Sequence, residues 1–317
     1  MQIHQNIDSL PHFRKAVITI GTFDGVHSGH QQIINVLKSE AQSIQGETVI
    51  ITFHPHPRKI VSSTILGVRL INTMSEKIEL LEKLGVDHLV IVSFTDSFAH
   101  QPAADYIQNF LIEKFHPHSV IIGYDHRFGR DRLGDYLLLE QAALQYNFKL
   151  SEISKLILNQ IAISSTTIRE SILFGKVEAA NELLGYDFFF EGEVVHGEKL
   201  GRKLGYPTAN LKIHNEEKIT PGDGIYAVKV SLTGKAPSTL EPLKLGMMSI
   251  GFRPTVNGKG RVIEVNIFEF DEEIYGQTLR VYVKNYLRPE AKFNSLQELI
   301  DQMGQDKIES LKILQNS

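Results

Sequence analysis

The sequence predicts two domains of different class. Residues 1–186 read as an α/β domain, a parallel sheet with helices on both faces, and residues 187–317 as a small antiparallel β-barrel with a terminal helix. Three observations carry this. In the first half, β-branched apolar runs without polar alternation are separated by amphipathic stretches long enough to be crossover helices, as a parallel sheet covered on both faces requires. After Tyr186 the pattern changes to strand-like runs joined by Gly, Pro and Asn turns. The length, 317 residues with 42% hydrophobic content, accommodates two independent cores.

Each element follows in order. AVITI opens the sheet, and QQIINVLKSEAQSI is its helix. TVIITF leads through a loop to SEKIELLEKLG, HLVIVSF leads to AADYIQNFLIEKF, and SVIIGYD is the fourth strand. ISSTTIRESILFGKVEAANELLG reads as a capped helix, with Thr167 and Glu170 at capping-box spacing, followed by a helix that Gly185 stops. EGEVVHG, GIYAVKVSL, KLGMMSIG, RVIEVNIFEF and QTLRVYVKNYL supply the barrel, and SLQELIDQMGQDKIESLKIL the last helix.

Composition removes several classes. A net charge of -4 and a pI near 6.4 provide no basic surface for a polyanion, so nucleic acid is not an expected partner. The absence of cysteine removes disulfides and thiolate metal sites and is compatible with a reducing compartment. The polar start MQIHQNIDSLPHFRK leads into no secretory apolar core, and no apolar run approaches about 18 residues. A cytoplasmic protein without a membrane partner is expected; weak homo-oligomerisation is left open.

Ligands on parallel sheets sit beyond the carboxyl ends of the strands, and the unusual residues of the first half fall there, at 21–30, 54–58 and 123–130. In AVITIGTFDGVHSGH, Gly21 and Gly25 permit a tight turn, and Ser28 stands where a helix starts before Ile33, Ile34 and Leu37. A helix N-terminus offers unpaired N–H groups and partial positive charge, so phosphate suits it. His27 and His30, three apart, can hydrogen-bond charge building on that phosphate. Alone, they are equally compatible with surface histidines on a first helical turn. HPH triplets at 54–56 and 116–118 raise a metal site as another reading, although the chain has neither an H-E-x-x-H nor a cysteine set.

In ISSTTIR, Arg169 stands one turn into a helix whose start attracts anions. It can clamp a triphosphate, with Ser164, Ser165 and Thr166 as neutral donors, while the hydroxyls alone read as helix initiation. In GEKLGRKLGYPTANL, Gly197, Gly201 and Gly205 let backbone N–H groups approach phosphates, and Lys199, Arg202 and Lys203 add charge; the simpler reading is a basic hairpin loop. Thr208 and Asn210 place hard oxygens beside those glycines, which points to Mg²⁺.

H-x-G-H paired with ISSTTIR resembles the adenylyltransferase superfamily that includes the class I aminoacyl-tRNA synthetases. GTFDGVHSGH, TFHPHPR, GYDHRFGRDRLGD and ISSTTIR, followed by HGEKLGRKLGYPTANL, IGFRPTV, VIEVNIFEF and LRPEAKF, extend the resemblance over nearly the whole chain. Together they resemble the bacterial family of bifunctional riboflavin kinases and FMN adenylyltransferases. The resemblance implies a Rossmann-like nucleotidylyltransferase domain in front and a kinase barrel behind. It implies two reactions: riboflavin and ATP give FMN and ADP in the barrel, then FMN and ATP give FAD and pyrophosphate in the α/β domain. Mg²⁺ and these small molecules are the implied partners.

By resemblance, Glu264 accepts the proton of the ribityl 5′-hydroxyl as the γ-phosphoryl group moves in line; alternation along VIEVNIFEF does not choose it over Glu269. Thr208 and Asn210 are the implied Mg²⁺ pair, and the loop from Gly197 through Gly201 to Gly205 covers the phosphates. His27 and His30 are implied to stabilise the in-line transition state and the departing pyrophosphate. Arg169, Ser164, Ser165 and Thr166 hold the β- and γ-phosphates, and Gly21 lets ATP approach the backbone. Asp24, Phe53, His56, Asp125 and Phe128 are further candidates for flavin or nucleotide contacts. The chain departs from the family pattern where His126 occupies an aromatic slot and where His54 replaces a commoner acidic residue. With no tryptophan, flavin stacking falls to Phe or Tyr, Phe53 and Phe128 being placed for it. Two other readings stand beside this one. An adenylyltransferase for a different acceptor, carrying a non-catalytic barrel, is opposed by PTAN; a non-enzymatic flavin sensor or RNA binder is opposed by the full set of motif residues and the acidic balance.

Overall fold

The apolar runs of the first half become a six-stranded parallel sheet. Its strands are β1 (Gln2–His4), β2 (Val17–Ile20), β3 (Thr48–His54), β4 (His88–Ser93), β5 (Ser119–Gly123) and β6 (Lys149–Ile153), in the order β1-β4-β3-β2-β5-β6. The computed structural model describes residues 1–61, 69–124, 126–153, 164–197, 201, 204–232, 234, 242–255 and 258–315. They divide into two compact units, Met1–Ser165 and Thr166–Ser317. Asp125, Lys199, Arg202 and Lys203 lie outside the described residues.

Successive strand residues face opposite sides, so each central strand supplies two cores. Ile18, Ile51, Val90 and Val120 join Phe110, Phe115 and Leu139 on one face. Val17, Ile50, Leu89 and Ile121 join Ile34, Leu37 and Leu81 on the other. This two-sided burial is why the four predicted strands read as unbroken apolar runs. The edge strands β1 and β6 were not predicted: β1 is three mostly exposed residues and β6 buries fully only Ile153.

The strand order reverses at β2, which lies between β3 and β5. A crevice beyond the carboxyl ends at such a reversal is where open α/β sheets take ligands. The helical segment after β4 runs through Ala103–Asp105, a π-helical stretch Tyr106–Ile112, and Glu113–Phe115.

In the second unit β7 (Phe189–Val195), β8 (Ala209–Lys212), β9 (Gly224–Ser231), β10 (Lys244–Thr255), β11 (Gly258–Ile267) and β12 (Thr278–Arg288) close an antiparallel barrel in the order β10-β11-β8-β7-β12-β9. Phe190, Val228, Ile250, Val265 and Val281 are fully buried in its core. The helices Ser165–Leu173 and Val177–Leu184 attach to this barrel. Asn181 accepts from Phe188 N at 2.8 Å and donates to Val283 O at 2.9 Å, while Glu178 Oε1 accepts from Tyr286 N at 3.0 Å. Gly185 ends the second helix at φ 76, as its sequence predicts. The first helix begins at Ser165, which puts Thr167 inside it; among the described residues a capping box is formed by Thr73 and Glu76, at the start of the Met74–Lys83 helix. The predicted terminal helix is Leu296–Gln315.

Candidate active sites

The first site is built on the turn that leaves β2. Gly21 N extends the sheet by donating to Ile51 O at 3.0 Å. The chain then reverses through Phe23, Gly25 and Val26 at φ 47, 88 and 38, two of them side chains that ordinarily avoid this region. Val26 N donates to Phe23 O, and Gln31 Nε2 to Val26 O at 3.0 Å, closing the turn on the following helix, Ser28–Ile44. Asp24 is buried with Oδ1 accepting from Ile71 N at 3.0 Å and Asn72 N at 3.3 Å. Both amides belong to a segment far along the chain from the turn.

His27 caps the helix, its Nδ1 accepting from His30 N at 3.3 Å. The first predicted helical position, Ser28, is confirmed, and the cap itself comes from an imidazole. For the neutral ring this leaves Nε2 as the donor. The His27 and His30 rings stack at 3.6 Å between centroids, 16° from parallel, and Phe23 lies 4.9 Å from His30. His30 Nδ1 is closed to solvent without a hydrogen-bond partner among the described residues. Burial, then the stacked His27, then Lys77 hold the His30 imidazole well below the ordinary histidine pKa, so it is neutral at neutral pH.

Beside the turn lies a pocket of about 520 Å³ lined by Gly21, Thr22, Phe53, Arg58, Tyr106 and Phe128 among others. Its wall is an aromatic row. His126 and Phe128 are 5.8 Å apart and nearly stacked, Phe128 and Tyr106 stack at 4.9 Å, and Phe53 meets Phe94 edge-on at 5.4 Å. Thus His126 joins the aromatic row despite its departure from the family pattern. Tyr106 is fully enclosed and its phenol pushed up by burial; it comes from the π-helical stretch, a deviation that recurs at functional sites. His56 is buried, with Nδ1 accepting from Arg58 N at 3.2 Å at the start of the Pro57–Val61 helix, whereas His54 is exposed. Among the described residues no three His, Cys, Asp or Glu side chains converge to hold a metal.

Ser165 Oγ, at the end of the first unit, donates to Asp24 O in the GTFDG turn at 2.9 Å. Ser164 and Thr166 are exposed, and Arg169 is half-buried one turn further along the same helix.

The barrel site is set by strand register. Glu264 on β11 stands opposite Asn210 on β8 and Ser249 on β10. Thr208 Oγ1 donates to Glu264 Oε1 at 3.3 Å, and Asn266 Nδ2 fixes the preceding Pro207 O at 2.7 Å. Ile263, Val265 and Ile267 alternate with Glu264 along β11 and are buried on its other face. Gly197 stands so close to Asn210 that any Cβ would run into its amide, and a Cβ at Gly201 would strike Tyr206 O. Gly205 is needed for another reason, its φ of 81. Two pockets lie against Thr208. One, of about 320 Å³, is lined by Glu264, Ser249, Met247, Phe293 and Met303; the other, of about 500 Å³, by Val194, Pro207, Ile274 and Tyr275, and Thr208 lines both.

Two groups at these sites escaped the sequence reading. Lys77 sits among the apolar positions of its helix, four residues before the fully buried Leu81; SEKIELLEKLG reads as an amphipathic helix, and a lysine in it reads as part of the polar face. Asp306, on the stripe Asp306, Ser310, Leu314, receives both Arg288 Nε at 2.8 Å and Nη2 at 2.6 Å. That pair fastens the terminal helix to the end of β12 along the smaller pocket.

The α/β unit has stacked imidazoles on a turn at a sheet switch point, and the barrel has a carboxylate braced by a hydroxyl that lines two pockets; the molecule is a two-site transferase. Residues 10–167 match the family model described as FAD synthetase, and residues 184–314 that described as riboflavin kinase. A bifunctional riboflavin kinase/FMN adenylyltransferase of Buchnera aphidicola is 37% identical over 92% of this chain and 91% of its own length. The Escherichia coli protein of the same description is 34% identical over 92% and 90%. A solved structure described as a macrolide-efflux protein from Streptococcus pneumoniae matches with a TM-score of 0.84 at 29% identity, over 98% of both chains. No helix among the described residues is long and apolar enough to cross a membrane. The chain belongs to the bifunctional riboflavin kinase/FMN adenylyltransferase family.

Proposed function

We infer that the chain makes FAD from riboflavin in two ATP-dependent transfers, the barrel forming FMN and the α/β domain adenylylating it. The observation that carries this is Glu264 beside Thr208, a residue common to two pockets. Riboflavin enters the smaller, partly apolar pocket and ATP the larger one. Glu264 accepts the proton of the ribityl 5′-hydroxyl as its oxygen bonds to the γ-phosphorus and ADP leaves. Thr208 and Asn210 are hard oxygen donors beside the close-packed Gly197, a set whose chemistry fits Mg²⁺; they would hold that ion, which neutralises charge on the transferring phosphates when bound. Gly201 and Gly205 shape the covering loop.

In the α/β domain an FMN phosphate oxygen attacks the α-phosphorus of ATP, and pyrophosphate departs. A phosphate nucleophile needs no strong base, so stabilising charge is the main task. His27 and the neutral His30 donate hydrogen bonds to it. Ser164, Ser165, Thr166 and Arg169 take the β- and γ-phosphates, and Gly21 admits the nucleotide to the backbone. The aromatic row with Phe53 and Phe128 takes the isoalloxazine, and Asp24, His56 and Asp125 remain candidates for ordering the nucleotide or flavin. The adenylylation and kinase domains are assigned to residues 1–186 and 187–317. We place the reactions in the cytoplasm, with small molecules as partners, no nucleic acid and no membrane; the exposed Leu137 and Leu144 are compatible with a weak homo-oligomer.

Incubation of the purified protein with riboflavin, ATP and Mg²⁺, followed by chromatography of the flavins, is expected to show FMN and then FAD. FAD formed from added FMN without any FMN formed from riboflavin overturns the kinase assignment. The reverse result overturns the adenylyltransferase assignment.

A further inference from the structure

Lys77 is used by neither reaction as derived above, yet its side chain is 6% exposed. Burying an ammonium is unfavourable by several kcal/mol unless it is compensated, so its surroundings are informative. Nζ donates to Thr22 O at 2.7 Å, and the same carbonyl accepts from Thr52 Oγ1 at 3.1 Å. Thr22 opens the turn whose Phe23 and Val26 occupy the left-handed region. Such conformations persist only where surrounding contacts over-determine them. Two anchors on the first turn residues do this: Lys77 on Thr22 O, and the Ile71 and Asn72 amides on the Asp24 carboxylate.

We propose that Lys77 is a positioning residue for adenylyl transfer, clamping the Thr22 carbonyl so that the turn keeps its shape and placing a fixed positive charge behind the surface where the ATP phosphates rest. This rests on the assignment of that turn and His30 to ATP. The titratable groups acting on this cluster are Asp24 on the turn and, on the Ser28–Ile44 helix, His30 with His27 stacked on it. Burial outweighs the favourable Asp24 carboxylate and brings the lysine down from its ordinary value to about 8. Above that pH the ammonium becomes neutral, and the charge behind the turn is lost.

The test uses the full chain with Lys77→Gln, which keeps a donor but no charge, and Lys77→Met, which keeps neither. Thermal unfolding and riboflavin phosphorylation serve as controls for folding. The kcat/KM for ATP in FMN adenylylation, which reports the free enzyme, is measured from pH 6 to 10. In the wild type it is expected to fall as pH rises through about 8. Lys77→Gln is expected to lose about tenfold, and Lys77→Met about a hundredfold, at pH 7, both without that limb, on the scale of removing one preorganised electrostatic group. Adenylylation within twofold of wild type in both variants overturns the proposal, as does a loss that leaves the limb in place. His30→Ala run in parallel separates the two readings: wild-type adenylylation there overturns the site assignment, whereas a defective His30→Ala beside normal Lys77 variants overturns the role of Lys77 alone.

Discussion

On the proposed assignment, the two sites meet phosphate chemistry by opposite means. In the α/β unit the groups hang from turns and helix starts at the sheet edge, and they are imidazoles and a buried ammonium: the stacked His27 and His30, and Lys77. In the barrel they are strand residues fixed by register, and the central one is a carboxylate. The nucleophiles explain the difference. A phosphate oxygen arrives already ionised and needs its charge managed, whereas an alcohol must lose a proton during transfer. A turn can be shaped around a triphosphate, but a base must be aimed at one atom, and a closed sheet aims better.

The contrast breaks most sharply at Glu264. Glu264→Gln keeps the shape and removes the acceptor, so riboflavin phosphorylation is expected to fall by about 10² to 10⁴ while FMN adenylylation stays normal; separate assays of the two steps check this, and kinase activity within threefold of wild type refutes the base assignment. His30→Ala removes a donor on the other side. A loss of about 3 kcal/mol in the adenylyl transfer step is expected, with FMN accumulating; single-turnover conversion of FMN to FAD measures it. Thr208→Ala should lower only phosphorylation, by on the order of tenfold for one lost charge-assisted contact, with partial recovery as Mg²⁺ is raised in a titration. The smallest effect sharpens the boundary between the units. Fragments 166–317 and 187–317 should both phosphorylate riboflavin. The shorter one lacks the Asn181 and Glu178 hydrogen bonds to the barrel and should unfold at lower temperature in a calorimetric scan, by a few degrees for about 1–3 kcal/mol.

What the sequence revealed follows the same division. The central strands and the change at the barrel were legible because two-sided burial and turn glycines leave strong one-dimensional patterns. The edge strands were not, since a strand buried on little of its surface has no such pattern. The π-helical turn at Tyr106 is a matter of hydrogen-bond register, to which side-chain periodicity is blind. At the sites, residue type announced the histidines, the hydroxyls and the glycines. It could not announce that Asp24 is engaged by the Ile71 and Asn72 amides, nor that Lys77 points inward from its amphipathic helix. Those facts depend on chain segments distant in sequence.

Thr208 contributes to the walls of both barrel pockets. On the proposed assignment of one pocket to flavin and the other to nucleotide, whatever factor the nucleotide applies to flavin affinity, flavin must return to the nucleotide. Equilibrium titration of flavin with and without nucleotide reads that factor, and titration of nucleotide with and without flavin must return the same number.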